Sequence, residues 1–411
     1  PMKQNAYIAG VGMTRFGKHL DRGLKSLAAQ AITEALDDAR LSFQDVNAAY
    51  MGNAAAAVIT GQVCVPGQMI LRALGVGGIP VVNVENACAT AATAFQQAAT
   101  MITAGMYDVV LACGSEKLYH ADKQKTFSVF TGAIDVECTD DVMAGISREI
   151  AASGRSHDTE GSGTSRSLFM DIYAVWAMDH MRRYGTTREQ FAAVSAKNSF
   201  HGSLNPKAQF RDEITIEDVL SAREVSWPLT LPMCSPIGDG AAAAILVSER
   251  KARQLGMARM VRVEAAALNS GWDYDDGDES VAEACARQLY ESAGVGPAEL
   301  DCVELHDASA PSEILYYEYL GLCAKGEGGQ FVEQGHSRLG GKIPVNTSGG
   351  LMRKGHPIGA TGIAQIVELT QQLRGEARER QVPDARVALA ENGGGFIGND
   401  AAAMAMTLLS R

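Results

Sequence analysis

The sequence predicts an α/β fold built from two similar halves. Strand-like apolar runs alternate with helical, alanine-rich stretches along most of the 411 residues, the pattern of mostly parallel sheets covered by helices. Several stretches of the first part return in the last part. A chain of this length also buries enough surface for two domains or one duplicated unit.

The echoes follow the chain. "AITEALDDARLSFQDVNAAYMGNAAAA" (Ala31–Ala57) reads as helix, short turn, strand and loop, and "ACARQLYESAGVGPAELDCVELHDASA" (Ala284–Ala310) reads the same way. "VVNVENACATAATAF" runs strand, loop, helix beside "PVNTSGGLMRKGHPIGATGIAQIVEL". The strand "DVVLACGSE" (Asp108–Glu116) pairs with "ARVALAENGG" (Ala385–Gly394), and "DGAAAAILVSER" (Asp239–Arg250) with "DAAAMAMTLLSR" (Asp400–Arg411). The predicted halves are residues 1–255, with an insertion near 117–230, and residues 256–411. Within the insertion, "FMDIYAVWAMDHMRRYGTTREQFAAVSAKNSF" has a helical period with aromatics and Met on one face, a pattern that favours packing over a cofactor box.

Composition narrows the function classes. Hydrophobic residues make up 46% and charged residues 20%, a globular balance. A net charge of −12 argues against nucleic acid as a partner, so an anionic ligand needs local Lys and Arg or backbone N–H groups. The N-terminal "PMKQNAYIAGVG" lacks an apolar core of signal-peptide length and no later run spans a membrane. Eight scattered cysteines show no C-x-x-C pair and no zinc spacing, which predicts free thiols, no metal and a reducing, cytoplasmic setting.

One cysteine stands apart. Cys88 falls where a strand hands over to a helix, flanked by alanines that leave the approach open. A helix N-terminus lowers a thiol pKa and offers N–H groups to an oxyanion, so a nucleophile is one reading. A small buried Cys filling a helix–sheet contact is the other. His356, between Gly355 and Pro357 on a glycine-rich loop before a helix, is a candidate base. His306 lies at a strand's C-terminal end in "ELHDASAPSE", where open α/β sheets place ligands. "ENGGGFIGND" adds Asn392 and Gly393–Gly395, whose bare backbone can approach a substrate carbonyl.

With those motifs in view, the chain resembles a thiolase of the sterol-carrier-protein type, akin to acetyl-CoA acetyltransferases. The likeness runs the whole length through "NVENACAT", "NPKAQFR", "LPMCSPIGDGAAA", "HDAS", "NTSGGLMRKGHPIGATGIAQ" and "NGGGFIG". It implies two βαβαβ-type halves in a layered α/β/α/β/α core with an inserted loop domain, assembled as a homodimer or a dimer of dimers. It implies that Cys88 takes an acyl group from a CoA thioester and that His356 activates the thiol and helps bind a thioester oxygen. His306 would hold a water in one oxyanion hole. The N–H groups of Cys88 and of a glycine in the 393–395 run, Gly394 for choice, would form the other. CoA is then a substrate, with no tightly bound cofactor, met by Ser348, Arg183, Lys197 and Lys354; Arg182, Lys207 and Arg353 are further cations within reach.

The departures from the family pattern matter. Many thiolases carry a second cysteine in a C-x-G box; here "ENGGG" offers Asn392, or Glu391 one residue earlier. The alternative cysteine of an "HDCF" box is Ala308. The proton-transfer group near the substrate α-carbon is therefore His356 acting twice, Glu391, or a residue of the insertion such as His120 or Asp141. Glu391 also has a plain reading as a capping or surface carboxylate.

Three functions follow. The first is thiolytic cleavage of a 3-oxoacyl-CoA or the reverse Claisen condensation, within lipid metabolism. The second is C-acylation or retro-aldol cleavage of a bulkier substrate, with a small zinc-ribbon/OB-fold subunit. The third is an acyl-CoA-binding subunit with little turnover.

Overall fold

The computed structural model describes residues 3–154 and 159–411; Pro1 and Met2, at the head of the stretch read for a signal peptide, lie outside them. In chain order the first part contains β1 (Lys3–Met13), α1 (Leu24–Ala39), β2 (Ala48–Gly52), α2 (Ala56–Thr60), α3 (Pro66–Ala73), β3 (Val81–Val84), α4 (Thr90–Thr103) and β4 (Val109–Glu116). Among the described residues five helices then intervene: α5 (Lys123–Thr131), α6 (Thr139–Ala152), α7 (Leu168–Tyr184), α8 (Arg188–Ser203) and α9 (Ile216–Ser221). A small hairpin, β5 (Glu224–Ser226) and β6 (Leu229–Thr230), leads to β7 (Gly240–Val247) and α10 (Glu249–Leu255).

The last part contains β8 (Val261–Ser270), α11 (Val281–Ala293), β9 (Cys302–Glu304), α12 (Ala310–Tyr319) and α13 (Gly328–Glu333). It ends with α14 (Gly350–Lys354), α15 (Thr361–Arg374), β10 (Val387–Gly394) and β11 (Ala403–Ser410).

Nine strands form one sheet in the order β3-β2-β4-β7-β1-β8-β11-β10-β9. Reading outward from its middle, β1-β7-β4-β2-β3 is matched by β8-β11-β10-β9, with Val345 making a parallel bridge to Val303 where the fifth strand would lie. The outer pairs, β2 with β3 and with β4 and β10 with β9, are parallel; the pairs made by β7 and β11 are antiparallel. The sequence echoes thus occupy equivalent places, and the duplicated, layered α/β fold is borne out. The halves join through β1 and β8, antiparallel neighbours with Tyr7 opposite Arg262 and Ile8 opposite Val261.

The core lies in three apolar layers. α1 covers the outer face of the first half with Leu27, Ala31, Ile32 and Ala35 against Met51, Leu111 and Ile245. Its close approach needs a bare backbone in β1, because a Cβ on Gly10 would meet the Ala35 carbonyl oxygen at 2.1 Å. The middle layer is α4 with α15, where Ala91, Phe95, Ile363 and Val367 touch strand residues of both halves. The third layer packs α11 and α12 with helices of the intervening segment, bringing Tyr317, Phe191 and Ile172 into one cluster.

The helical stretch expected over 169–200 divides in two. Gly185, at φ +75°, closes α7 in the left-handed conformation, and Thr187 opens α8 with a capping box to Gln190. The glycine-rich 346–360 segment also carries more structure than its lack of periodicity suggests, since it contains α14. Among the described residues no helix is long and apolar enough to cross a membrane.

Candidate active site

The turn carrying Cys88 is built from local hydrogen bonds. β3 ends at Val84, and the chain reverses through Ala87, a non-glycine residue at φ +49°. Such a conformation costs about 1–3 kcal/mol and persists only where its surroundings impose it. Three contacts do so here: the Ala87 N–H donates to the Glu85 carboxylate (2.5 Å), the Asn86 N–H donates to Thr90 Oγ1 (2.9 Å), and Thr90 Oγ1 donates to the Ala87 carbonyl (2.6 Å). Cys88 then sits in a 3-10 turn, Ala87–Ala89, that runs into α4. From the other half, β10 ends against this turn; a Cβ on Gly394 would lie 2.3 Å from the Asn86 carbonyl oxygen and 2.7 Å from the Ala89 nitrogen.

Two histidines converge on the thiol. The Cys88 sulfur and one ring nitrogen each from His306 and His356 all lie within 4.8 Å of one another. The imidazole centroids are 5.1 Å apart at 68°. His356 Nδ1 is 2.8 Å from Thr361 Oγ1, and that hydroxyl is also within reach of the Pro357 carbonyl at 3.3 Å. With the Thr361 hydroxyl donating to Pro357, Nδ1 is the N–H donor and Nε2 the free base. His306 donates its backbone N–H to Glu391 Oε2 at 2.9 Å. Its ring Nε2 is buried with no hydrogen-bond partner among the described residues.

The electrostatics differ from the expectation of a thiol acidified by a helix terminus. Burial pushes the Cys88 thiol up to about 12, helped by the nearby carboxylate of Glu116 and opposed by N–H donation from Gly395 and from Cys88 itself. Burial outweighs the helix terminus. Burial likewise lowers His306 to about 4, and it holds His356 well below its ordinary value with the help of His306 and Lys354. The resting trio is a neutral thiol beside two neutral imidazoles. It is primed for proton transfer during attack rather than for a standing thiolate. Three such donors could also close on a zinc ion; cysteine spacing could not foresee this, because they come from three separate segments.

Comparison with known proteins shows the family. Residues 6–225 match the family described as thiolase, N-terminal domain, and residues 272–407 match thiolase C-terminal domain-like. The chain belongs to the thiolase family. It is 37% identical over 404 residues to sterol carrier protein 2 of Bos taurus, covering 95% of this chain and 70% of that one. It is 36% identical over 402 residues to the benzoylsuccinyl-CoA thiolase subunit BbsB of Thauera aromatica, covering 96% of each. Among solved structures, the Ltp2-ChsH2(DUF35) aldolase superposes with a TM-score of 0.77 at 25% identity, covering 100% of this chain and 98% of that one.

Other expected site residues of this thiolase take varied places. Glu391 is fully buried and pushed up to about 8 by that burial; its Oε1 has no hydrogen-bond partner among the described residues. The plain reading of it as a surface carboxylate is overturned. Both side-chain amide atoms of Asn392 are buried in the same condition. The glycine whose N–H reaches the Cys88 sulfur is Gly395, while Gly394 supplies the close contact with the turn. His120 is half-buried and accepts the Asp122 N–H on Nδ1; Asp141 is exposed on α6; neither lines the cleft at Cys88.

The residues expected to meet CoA are largely committed elsewhere. Lys197 is buried against the Glu313 carboxylate and the Val345 carbonyl. Lys354 is buried between Glu304 and the Ser348 hydroxyl, and that hydroxyl donates to Glu304 at 2.7 Å. These three hold the 304–354 region together and do not line the cleft at Cys88. Arg183 is accessible but paired with Asp179 and Asp276.

Some participants escaped the sequence reading. Glu116, at the end of β4, accepts N–H groups from Ala54, Ala55 and Lys117 and from Gly359 of the His356 loop, at 3.0–3.3 Å. It pins that loop to the first half. Phe169, Tyr173, Trp176, Tyr316 and Phe396 line the cleft beside Cys88. The signal for the first three was their i, i+4, i+7 spacing, which is equally the spacing of a packing face.

Proposed function

We propose that this thiolase is an acyl-CoA C-acyltransferase working through an acyl-Cys88 intermediate, in thiolytic cleavage of a 3-oxoacyl-CoA or the reverse Claisen condensation. The observation that carries the proposal is the meeting of the Cys88 sulfur with His306 and His356 nitrogens within 4.8 Å. In thiolysis the Cys88 proton passes to His356 Nε2 as sulfur adds to the 3-oxo carbon. The N–H groups of Cys88 and Gly395 receive the oxyanion. The C2–C3 bond then breaks with its electron pair moving to the α-carbon, which is protonated, and acetyl-CoA leaves. CoA thiol attacks the acyl-Cys88 thioester to release the shortened acyl-CoA and the free thiol.

Protonation of the α-carbon falls to His356 first and Glu391 second. A carboxyl near 8 holds a proton at neutral pH and can give it up, which fits a general acid/base. CoA phosphates are assigned to cations at the rim of the intervening helices, Arg183 among them. β3 is an open sheet edge with Val82 turned outward, which supports a homodimer through that edge.

A second reading has support of its own. The Ltp2-ChsH2 aldolase carries a DUF35 partner, and of the two places where a second cysteine is expected one holds Ala308 and the other Asn392, or Glu391 one residue earlier. On this reading the protein acylates or cleaves a bulkier substrate together with a small zinc-ribbon/OB-fold subunit. Intact-mass measurement after incubation with an acyl-CoA is the test. Acyl-transfer chemistry requires an adduct that maps to Cys88; no adduct would leave an acyl-CoA-binding subunit with little turnover. Release of the adduct by free CoA supports thiolysis, and release only to a carbon acceptor supports the second reading.

A further inference from the structure

We infer that Cys88, His306 and His356 together form a binding site for Zn²⁺, and that the ion competes with acyl-CoA for the Cys88 sulfur. The competition rests on the acyl-Cys88 reading; the metal site does not. The three donor atoms already lie within 4.8 Å of one another. Tetrahedral zinc, with bonds of about 2.0–2.3 Å, sets its ligand atoms roughly 3.5 Å apart, so the trio closes by little more than about 1 Å. Side-chain rotation supplies that, and the donors are available. His306 Nε2 is buried with no hydrogen-bond partner among the described residues. His356 engages Thr361 through Nδ1, which leaves its Nε2 for the ion. Burial keeps both imidazoles neutral at neutral pH, so no proton has to leave either ring.

The surroundings suit a single soft cation. A thiolate with two imidazoles selects zinc over magnesium or calcium, and three protein donors leave a fourth position for water. The space beside Cys88 and His306 is about 20 Å³, room for one water and little else. Charge points the same way. Glu116 and Glu391 are buried carboxyl groups with no Lys or Arg partner among the described residues. The charge of Glu116 acts on Cys88, and Glu391 accepts the His306 N–H. On binding, the Cys88 S–H bond breaks and its proton leaves to solvent as the S–Zn bond forms, while each imidazole donates a ring lone pair. The thiolate and one neighbouring carboxylate then balance the two positive charges. A sulfur so held cannot attack a thioester until the ion leaves.

The test uses Co²⁺ as a visible stand-in for zinc, on the intact chain with its exposed thiols removed by Cys64→Ser and Cys138→Ser. The expected result is a near-ultraviolet sulfur-to-cobalt charge-transfer band, with visible bands of tetrahedral intensity, bleached when Zn²⁺ displaces the cobalt. Cys88→Ala loses the charge-transfer band. His306→Ala weakens Zn²⁺ binding by at least the roughly 10- to 100-fold that an outer partner of a metal ligand is worth. Zn²⁺ on the unaltered trio also slows alkylation of Cys88 by iodoacetamide, a readout that needs no variant at the site. No charge-transfer band, or a band that survives Cys88→Ala, overturns the site. Cys88 acylation, read by intact mass, falls as Zn²⁺ saturates the protein and returns with a chelator. Acylation unchanged at saturating Zn²⁺ overturns the competition. If no thioester adduct forms even without metal, the acyl-Cys88 reading and the competition fail together, while the cobalt band still decides the metal site.

Discussion

The two halves use one scaffold in opposite ways at the cleft. In the first, only residues 85–89 separate β3 from α4, and that short turn is strained at Ala87 to present a thiol. In the second, residues 346–360 separate the Val345 bridge from α15, and the longer path carries a short helix and the base His356. The inner strands diverge the same way. β4 ends in Glu116, a carboxylate that grips the opposite loop, whereas β10 ends in Gly394, bare backbone that lets the opposite turn come close. Once duplicated, the scaffold could assign nucleophile and base to different copies, because a helix N-terminus from each reaches the same place.

The largest effect should come from the half that holds the nucleophile. Cys88→Ala abolishes acyl transfer, a loss on the order of 10³-fold or more, because Cys88 is the one cysteine among the described residues that lines the cleft. Cys88→Ser is nearly as poor. Retention of more than about a tenth of wild-type turnover in Cys88→Ala would end the covalent mechanism.

The other half is tested through its base. His356→Ala costs roughly 10²- to 10⁴-fold in turnover with the fold intact by circular dichroism. Because the thiol lies near 12, its thiolate fraction keeps climbing across the whole alkaline range. Alkylation of Cys88 by iodoacetamide is therefore slow at neutral pH without the base, and slower in His356→Ala than in wild type. A superimposable rate–pH profile for the two proteins would make His356 structural.

Glu391 sharpens the comparison by a smaller step. Glu391→Gln slows thiolysis about tenfold and leaves Cys88 acylation intact, read from mass and turnover in parallel. The group also leaves a stability signature. Its carboxyl rises from 4.5 to about 8 on folding, so the folded state holds the proton more tightly. That contribution is complete below about pH 4.5 and is lost as pH rises through 8. Tm of Glu391→Gln relative to wild type should therefore increase from pH 5 to pH 9; a constant difference would place the carboxyl in water.

The smallest effect tests the close contact between halves. Gly394→Ala puts a methyl into the Asn86 carbonyl and costs about 1–3 kcal/mol, seen as a lowered Tm, with a shift of the Cys88 turn that also reduces acylation. Unchanged stability and acylation would show that the turn moves freely against β10.

The legible parts of the molecule were those written locally. Strands such as Val109–Glu116 and Val387–Gly394 announce themselves by apolar runs, and the Cys88 and His356 segments by small residues around one reactive side chain. What stayed hidden depends on residues distant in the chain. The thiol was expected to be acidified by α4, but burial and Glu116, 28 positions away, decide otherwise. Lys197 and Lys354 resembled free cations because their partners, Glu313 and Glu304, lie in another stretch. The rings of α7 carry the period of a packing helix, and only the arrival of Gly393–Phe396 turns that face into a pocket wall.

The antiparallel seam between β1 and β8 has a consequence for how the molecule lives and dies. Backbone hydrogen bonds run unbroken from β3 to β9, and α4 and α15 share one apolar layer, so neither half owns a complete interior. Separate expression of the halves should give two sticky fragments, each with a raw sheet edge and half a core. In denaturant the intact chain should lose acylation and secondary structure along a single cooperative curve, since the spacing of thiol and imidazole is a property of the whole sheet.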